Sequence, residues 1–145
     1  MGHGSVITRV IVRLGAYVEA HRLGYVTGEA GYVLERGPDT VRGPDAAFIR
    51  RERRPGPDVE HRYFEGAPDL AVEIVSPNDS AREVAETVDG YLARGTGLVW
   101  AIHPARRQVV VHAAGAPARV LDEADTLDGG DVVPGFRCEV REIVG

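Results

Sequence analysis

The chain has 145 residues, of which 43% are hydrophobic and 27% are charged, and its net charge is −5 at pH 7. This size and composition predict one globular domain spanning residues 1–145, with a core that needs neither disulfides nor a structural metal. They exclude a disordered chain, a membrane-spanning helix of ~20 apolar residues, and a protein that binds nucleic acid through bulk positive charge alone.

The chain begins without a signal-peptide pattern, and its one cysteine, Cys138, has no partner for an internal disulfide. Both features favour a reducing compartment, so we expect a cytoplasmic protein that does not contact a membrane. All 17 basic residues are arginine and none is lysine. The chain therefore has no lysine ammonium group that could take part in catalysis.

The first predicted helix begins near Ser5, which can cap it, and ends near Gly24. Its apolar residues follow the 3.6-residue period of an amphipathic helix: Val6, Ile7, Val10, Ile11, Leu14, Tyr17 and Val18. Two antiparallel strands joined by a tight loop are predicted next, from GYVTGEAGYVL, the turn ERGPDT and VRGPDAAFI. Residues 50–68 are dense in Pro, Gly and charge, which predicts an exposed loop of unusual length.

A central strand is predicted from DLAVEIV, and its continuous hydrophobicity indicates cover on both faces. Ser76 to Asp79 offer a turn and a cap for a second helix, which continues as SAREVAETVDGYLARG with Gly95 at its end. GLVWAIH then completes a strand, helix, strand unit. HPARR predicts a turn into QVVVHAA, and the remaining chain predicts a meander of short strands without a helix. The predicted fold class is α/β, with a central mixed sheet flanked by two main helices and a C-terminal strand meander.

A full negative charge, Glu73, lies in the middle of that central strand. A lone carboxylate in apolar surroundings costs several kcal/mol unless a positive group or several donors meet it. Asp45, which follows Pro44, also precedes an apolar segment. If the two strands are neighbours, the carboxylates lie side by side, and a divalent cation such as Mg²⁺ or Mn²⁺ would relieve their repulsion. The alternative is that Glu73 pairs with Arg42 or Arg82 and that Asp45 only caps a turn.

Other candidate sites carry weaker patterns. The five histidines lack the spacing of a zinc site, and no glycine-rich phosphate loop occurs. Four arginines in the long loop could contact DNA phosphates, although a solvated charged loop explains them equally well: Arg50, Arg51, Arg53 and Arg54.

Five segments occur in an order that resembles the Uma family of "putative restriction endonucleases", assigned to the PD-(D/E)XK nuclease superfamily. They are VRGPDAAFI, GAPDLAVEIVSPND, a helix ending YLARG, VWAIHP and VVPGF. The resemblance covers nearly the whole chain and implies a restriction-endonuclease-like fold and a Mg²⁺-dependent (or Mn²⁺-dependent) DNA endonuclease. By motif it implies Asp45 and Glu73 as metal ligands, and Glu29 of GEAGYVL as a further ligand or a residue that orients water.

The chain departs from the family pattern at the catalytic lysine. In the superfamily, the Lys stands two residues after the Glu, and this chain has Val75 at that position. Relatives within the Uma family supply the Lys from the following helix, four residues before the Tyr of that helix. Counting back from Tyr91 gives Thr87, which cannot supply a full positive charge. Arg82 in the same helix could lend charge or contact a phosphate, but a guanidinium is a poor proton shuttle.

Three functions therefore stay open. The chain is a metal-dependent endonuclease, a degenerate relative that binds DNA or regulates, or a structural oligomerisation module whose acids are tied to arginines. Relatives also begin with a further strand or two, so a sheet edge left open here would suit a partner subunit, and we expect a homodimer.

Overall fold

The computed structural model describes residues 3–53 and 63–145. Its centre is a six-stranded mixed sheet made of β1 (Gly24–Thr27), β4 (Ala46–Arg50), β6 (Leu70–Ile74), β7 (Leu98–His103), β8 (Gln108–Ala113) and β9 (Arg119–Leu121), in that spatial order. Only the β6–β7 pair is parallel within this sheet. The helix α2 (Ala81–Ala93) connects these two strands, so the predicted strand, helix, strand unit is confirmed.

The two main helices cover opposite faces of the sheet. The helix α1 (His3–Ala20) buries Val6, Val10, Leu14 and Val18 against the face that carries Leu70, Val72 and Trp100. On the other face, α2 packs Val88 and Tyr91 onto Ala71 and Val99. The mixed α/β fold and the burial of β6 on both faces are therefore confirmed. None of the described helices is long and apolar enough to cross a membrane.

A second, three-stranded sheet contains β2 (Gly31–Glu35), β3 (Thr40–Arg42) and β5 (Tyr63–Glu65), with β2 in the middle. Each of the two predicted antiparallel strands is thus divided between two sheets, because the chain bends after Thr27 and again at Gly43 and Pro44. The predicted loop over residues 50–68 contains a 3₁₀ turn at Arg51–Arg53 and β5, and residues 54–62 lie outside the described residues.

The ends of α1 differ from the prediction. The helix begins at His3, so Ser5 lies in its first turn, and it ends at Ala20, before Gly24. Gly24 instead belongs to β1, where a Cβ would collide with the carbonyl oxygen of Ile49. Close pairing of β1 with β4 explains this glycine better than helix termination does.

The C-terminal region contains a hairpin of β10 (Thr126–Asp128) and β11 (Arg137–Glu139), as a strand meander predicts. The prediction that no helix follows is wrong, because the chain ends in the short helix α3 (Arg141–Val144). Ile143 and Val144 are buried in the main core, and Arg9 of α1 donates a hydrogen bond to the carbonyl oxygen of Ile143 (3.1 Å). Tertiary burial therefore holds a helix that is too short to show a sequence period.

The start of α2 is fixed by Ser80 in a reciprocal cap. The Glu83 backbone N–H donates to Ser80 Oγ (3.0 Å), and the Ser80 N–H donates to Glu83 Oε1 (3.3 Å). We expect Ser80→Ala to lower the free energy of unfolding by about 1 kcal/mol in urea denaturation. Ser5→Ala, at an exposed position inside the first turn of α1, is the matched control. Equal losses in the two variants would contradict the capping role.

Candidate functional site

The pairing of β4 with β6 brings Asp45 and Glu73 to the same place. Ala46 is opposite Val72, and the Asp45 backbone N–H donates to the carbonyl oxygen of Val72 (3.0 Å). Asp45 lies in the bend just before β4, beyond the last paired residues of the two strands. Its negative charge acts on the carboxylate of Glu73. Two acids that are distant in the sequence are thus neighbours in the fold.

Each of the two carboxylates uses one oxygen in an internal hydrogen bond. Asp45 Oδ2 accepts from the Ile74 backbone N–H (2.7 Å), and Glu73 Oε1 accepts from the Tyr91 hydroxyl (2.9 Å). Asp45 Oδ1 and Glu73 Oε2 accept no hydrogen bond from the described residues. One oxygen on each side chain is therefore available to a ligand.

The alternative of ion pairing with an arginine is not seen in the described part of the chain. Neither carboxylate has an Arg or His nitrogen within the 4.0 Å that defines an ion pair, among residues 3–53 and 63–145. Arg82 instead pairs with Glu86 (3.0 Å) on the surface of α2, where its side chain is 88% exposed. None of these arginines therefore neutralises either carboxylate by direct contact.

The environment of Glu73 raises its pKa to about 7. Burial is the main cause, and the negative charges of Asp45 and Asp79 act in the same direction. The hydrogen bond from Tyr91 and the positive charge of Arg42 lower the pKa in turn. A carboxyl that titrates near neutral pH next to a second acid is typical of functional sites.

Tyr91 is the contact that the sequence did not reveal. Its periodicity on α2 places it with Val88 on an apolar face, and the residue is 1% exposed. Burial and the Glu73 carboxylate both raise the pKa of the Tyr91 hydroxyl, so it acts as a hydrogen-bond donor throughout the physiological range. No local sequence signal identifies this contact, because the residue has the helical position of a core side chain.

Thr87 lies one helical turn before Tyr91 and faces the same site. It lines a cleft of about 180 Å³ together with Glu73, Asp79 and Glu83. A lysine at position 87 would therefore extend its ammonium group into a cleft that is bordered by acids. The chain has a neutral hydroxyl there.

Glu29 follows β1 at the same end of the sheet as Asp45, since the pairing of β1 with β4 runs up to Thr27 opposite Ala47. Glu29 itself is exposed in the bend before β2. Within residues 3–53 and 63–145, no group of three or more His, Cys, Asp or Glu side chains is close enough to hold a metal ion. Glu29 thus does not join the two acids in such a group.

The arginines of the predicted phosphate-binding cluster lie at the other end of β4. Arg50 is the last residue of the strand, five positions after Asp45, which corresponds to roughly 17 Å of extended chain. Asp69 holds this end by accepting from the Arg50 N–H (2.7 Å) and pairing with Arg53 (3.1 Å). Arg51 is exposed, and Arg54 lies outside the described residues.

Tyr91→Phe tests whether the tyrosine hydroxyl tunes the acid. Because the hydrogen bond lowers the pKa of Glu73, its removal is expected to raise that pKa above about 7 and to cost about 1–2 kcal/mol of stability. The pKa is measured by NMR titration of ¹³C-labelled glutamate. Tyr25→Phe, at a half-buried position in β1, is the control, and an unchanged Glu73 titration in Tyr91→Phe would refute the role.

Comparisons with known proteins identify a family and a similar fold. A family model described as "Uma2: Putative restriction endonuclease" matches residues 2–141. A crystal structure of a "putative nuclease" belonging to DUF820, from Anabaena variabilis, superposes with a TM-score of 0.85 at 21% identity, covering 99% of this chain and 81% of that one. At this identity the likeness shows the fold. A comparison with curated protein sequences found no match.

Proposed function

We propose that this chain, which belongs to the Uma2 family described as "Putative restriction endonuclease", is a metal-dependent endonuclease that hydrolyses DNA phosphodiester bonds. The observation that carries the proposal is the pairing of β4 with β6, at whose end the carboxylate of Asp45 accepts from the Ile74 N–H beside Glu73. The description of the structural neighbour as a nuclease supports the same chemistry.

The donor set fits Mg²⁺ or Mn²⁺. Both side chains are carboxylates, the ligands that hard divalent cations prefer, and each has one oxygen that accepts no hydrogen bond from the residues the structure describes. A cation held by Asp45 and Glu73 would supply Lewis-acid stabilisation of the scissile phosphate and of the attacking water. With two protein carboxylates, the rest of the coordination shell would be left to water and phosphate oxygens.

The other residues have supporting roles in this proposal. Tyr91 donates to one oxygen of Glu73 and would thereby hold the carboxylate in one orientation. Arg42 ends β3, three residues before Asp45, and its charge acts on Glu73, so it is placed to contact the same phosphate. Glu29, at the same end of the sheet, would act through water.

More distant arginines would contact flanking phosphates. Arg50, Arg51 and Arg53 at the far end of β4 suit this role, as does Arg82 on α2, and we extend it to Arg54. Arg53 and Arg82 would have to exchange their carboxylate partners for phosphate oxygens. These contacts would position the DNA without specifying its sequence.

The second candidate function is a catalytically degenerate relative that binds DNA or regulates. Thr87 favours it, because the neutral side chain lines the cleft that holds Glu73 and no lysine exists elsewhere in the chain. Such a protein could keep the cation site while lacking the charge that assists hydrolysis.

Three sequence-based properties of the chain stay predictions: that it forms a homodimer, that it is a single domain and that it is cytoplasmic. The homodimer is supported by β1, an edge strand of the six-stranded sheet that pairs with β4 on one side. Sedimentation equilibrium of the purified chain would measure its mass, and a monomer at every concentration would contradict the dimer.

The experiment is a calorimetric titration of Mn²⁺ followed by a nicking assay on supercoiled plasmid with Mg²⁺. We expect the native protein to bind Mn²⁺ and to nick the plasmid, and Asp45→Asn to do neither. Asp131→Asn, at an exposed position, should behave as the native protein does. Binding without nicking would favour the degenerate relative, and absence of binding would end the metal proposal.

A further inference from the structure

A second cleft, of about 300 Å³, adjoins the one that holds Glu73 and Thr87. The two clefts share four lining residues, Val75, Asp79, Val84 and Val88, so they are adjacent along α2. The second cleft continues from these shared residues to β8 and to the 3₁₀ turn Pro104–Arg106. A molecule bound at Glu73 could therefore extend toward this second cleft along α2.

The walls of this second cleft are apolar on the helix side. Ala81, Val84, Ala85 and Val88 of α2 face Val110 of β8 across it. On the sheet side it is lined by two imidazoles, His103 at the end of β7 and His112 on β8. Strand alternation and the β7–β8 register put both histidines on the face that α2 covers.

The charges around this second cleft disfavour an anion inside it. Burial lowers the pKa of both His103 and His112, so the two imidazoles are uncharged at neutral pH. Asp79 also lines the cleft, and the charge of Asp89 acts on His112. Arg106 is the one lining residue with a permanent positive charge in the described part of the chain. The lining suits a planar, uncharged ring with polar edges.

We propose that this second cleft binds one nucleobase of the DNA strand whose phosphate lies at Asp45 and Glu73. The inference rests on the proposed function and adds a substrate class to it. A base within a duplex is held by stacking and pairing, so only an unpaired base can enter such a cleft. The imidazoles of His103 and His112 offer stacking and hydrogen-bonding partners for that base. The preferred substrate is therefore single-stranded or locally unpaired DNA.

The first test uses 2′-deoxynucleosides as probes, without metal, at pH 7.5. Imidazole NMR signals of His103 and His112 are expected to shift with saturation, whereas His21, exposed in the turn after α1, should not respond. His112→Ala should lose the response of His103, and His21→Ala should keep it. Inorganic phosphate and 2-deoxyribose 5-phosphate should cause no shift. Shifts caused by these two anions instead of the nucleosides, or by raising the protein concentration alone, would overturn the proposal.

The second test compares trinucleotides that carry one base or none. A trinucleotide with a single base between abasic units should bind roughly 5- to 150-fold more tightly than the fully abasic one. Equal affinity would overturn the base-binding cleft even if the protein binds Mn²⁺ and nicks plasmid. Conversely, a preference for the base in a protein that neither binds Mn²⁺ nor cleaves would uphold the cleft and refute the nuclease proposal.

Discussion

Glu73→Gln is expected to stabilise the metal-free protein above pH 7 while it abolishes Mn²⁺ binding. Burial raises the pKa of Glu73 from 4.5 to about 7 in the folded state. Below pH 4.5 both the folded and the unfolded chain carry the proton. As the pH rises to about 7, the unfolded chain releases its proton first, so the folded state loses stability.

Once Glu73 is ionised in the folded state, the free energy of unfolding has fallen by an amount on the order of 3 kcal/mol. The partial exposure of the side chain to solvent reduces this loss to about 2–3 kcal/mol. Gln keeps the shape and the acceptor for the Tyr91 hydroxyl and removes the charge, so it should recover this energy. The melting temperature at pH 8 in a chelator is expected to rise by roughly 4 to 10 °C. At pH 4 the native protein and the variant should melt together.

Thermal melting from pH 4 to pH 9 measures this effect, with and without Mn²⁺. The native protein should gain stability from Mn²⁺ at pH 8, because the cation relieves the repulsion between the two acids, and Glu73→Gln should gain none. Glu19→Gln, at an exposed position on α1, is the control and should follow the native curve. A lower melting temperature for Glu73→Gln at pH 8 without metal would show that the ionised Glu73 is stabilised by a positive partner.

The pairing of the two acids could be anticipated from the sequence, but the group that holds one of them could not. Alternation along β6 places Glu73 on the face opposite Leu70 and Val72, and the structure confirms that face. Tyr91 has the position of a core residue in the helical period, and the packing of α2 on the sheet brings its hydroxyl to Glu73. A local pattern does not encode that packing.

The histidines show the same limit in another form. His103 and His112 have no metal-ligand spacing in the sequence, and they come to one face because β7 and β8 form a hairpin. The helix α3 is a further case, since four residues are too few to display a period and are held by burial of Ile143 and Val144.

Thr87→Lys is expected to increase the rate of plasmid nicking with Mg²⁺ by at least about 100-fold. Position 87 is half-buried on α2 and lines the cleft beside Glu73, so a lysine side chain would place its ammonium group where negative charge develops on the phosphate. Lysine is also a better helix former than threonine, so α2 should tolerate it. Single-turnover nicking rates of the native and variant proteins measure the effect.

Two controls separate transition-state stabilisation from other effects of the new side chain. Thr87→Met has similar length without charge and should leave the rate unchanged. Calorimetry must show that Thr87→Lys still binds Mn²⁺, because an ammonium group paired with Glu73 could displace the cation.

If the native protein already nicks plasmid and Thr87→Lys slows the nicking, the lysine is dispensable and Arg42 becomes the residue to test. If neither protein nicks while both bind Mn²⁺, a missing charge at position 87 does not explain the inactivity, and the degenerate function stands.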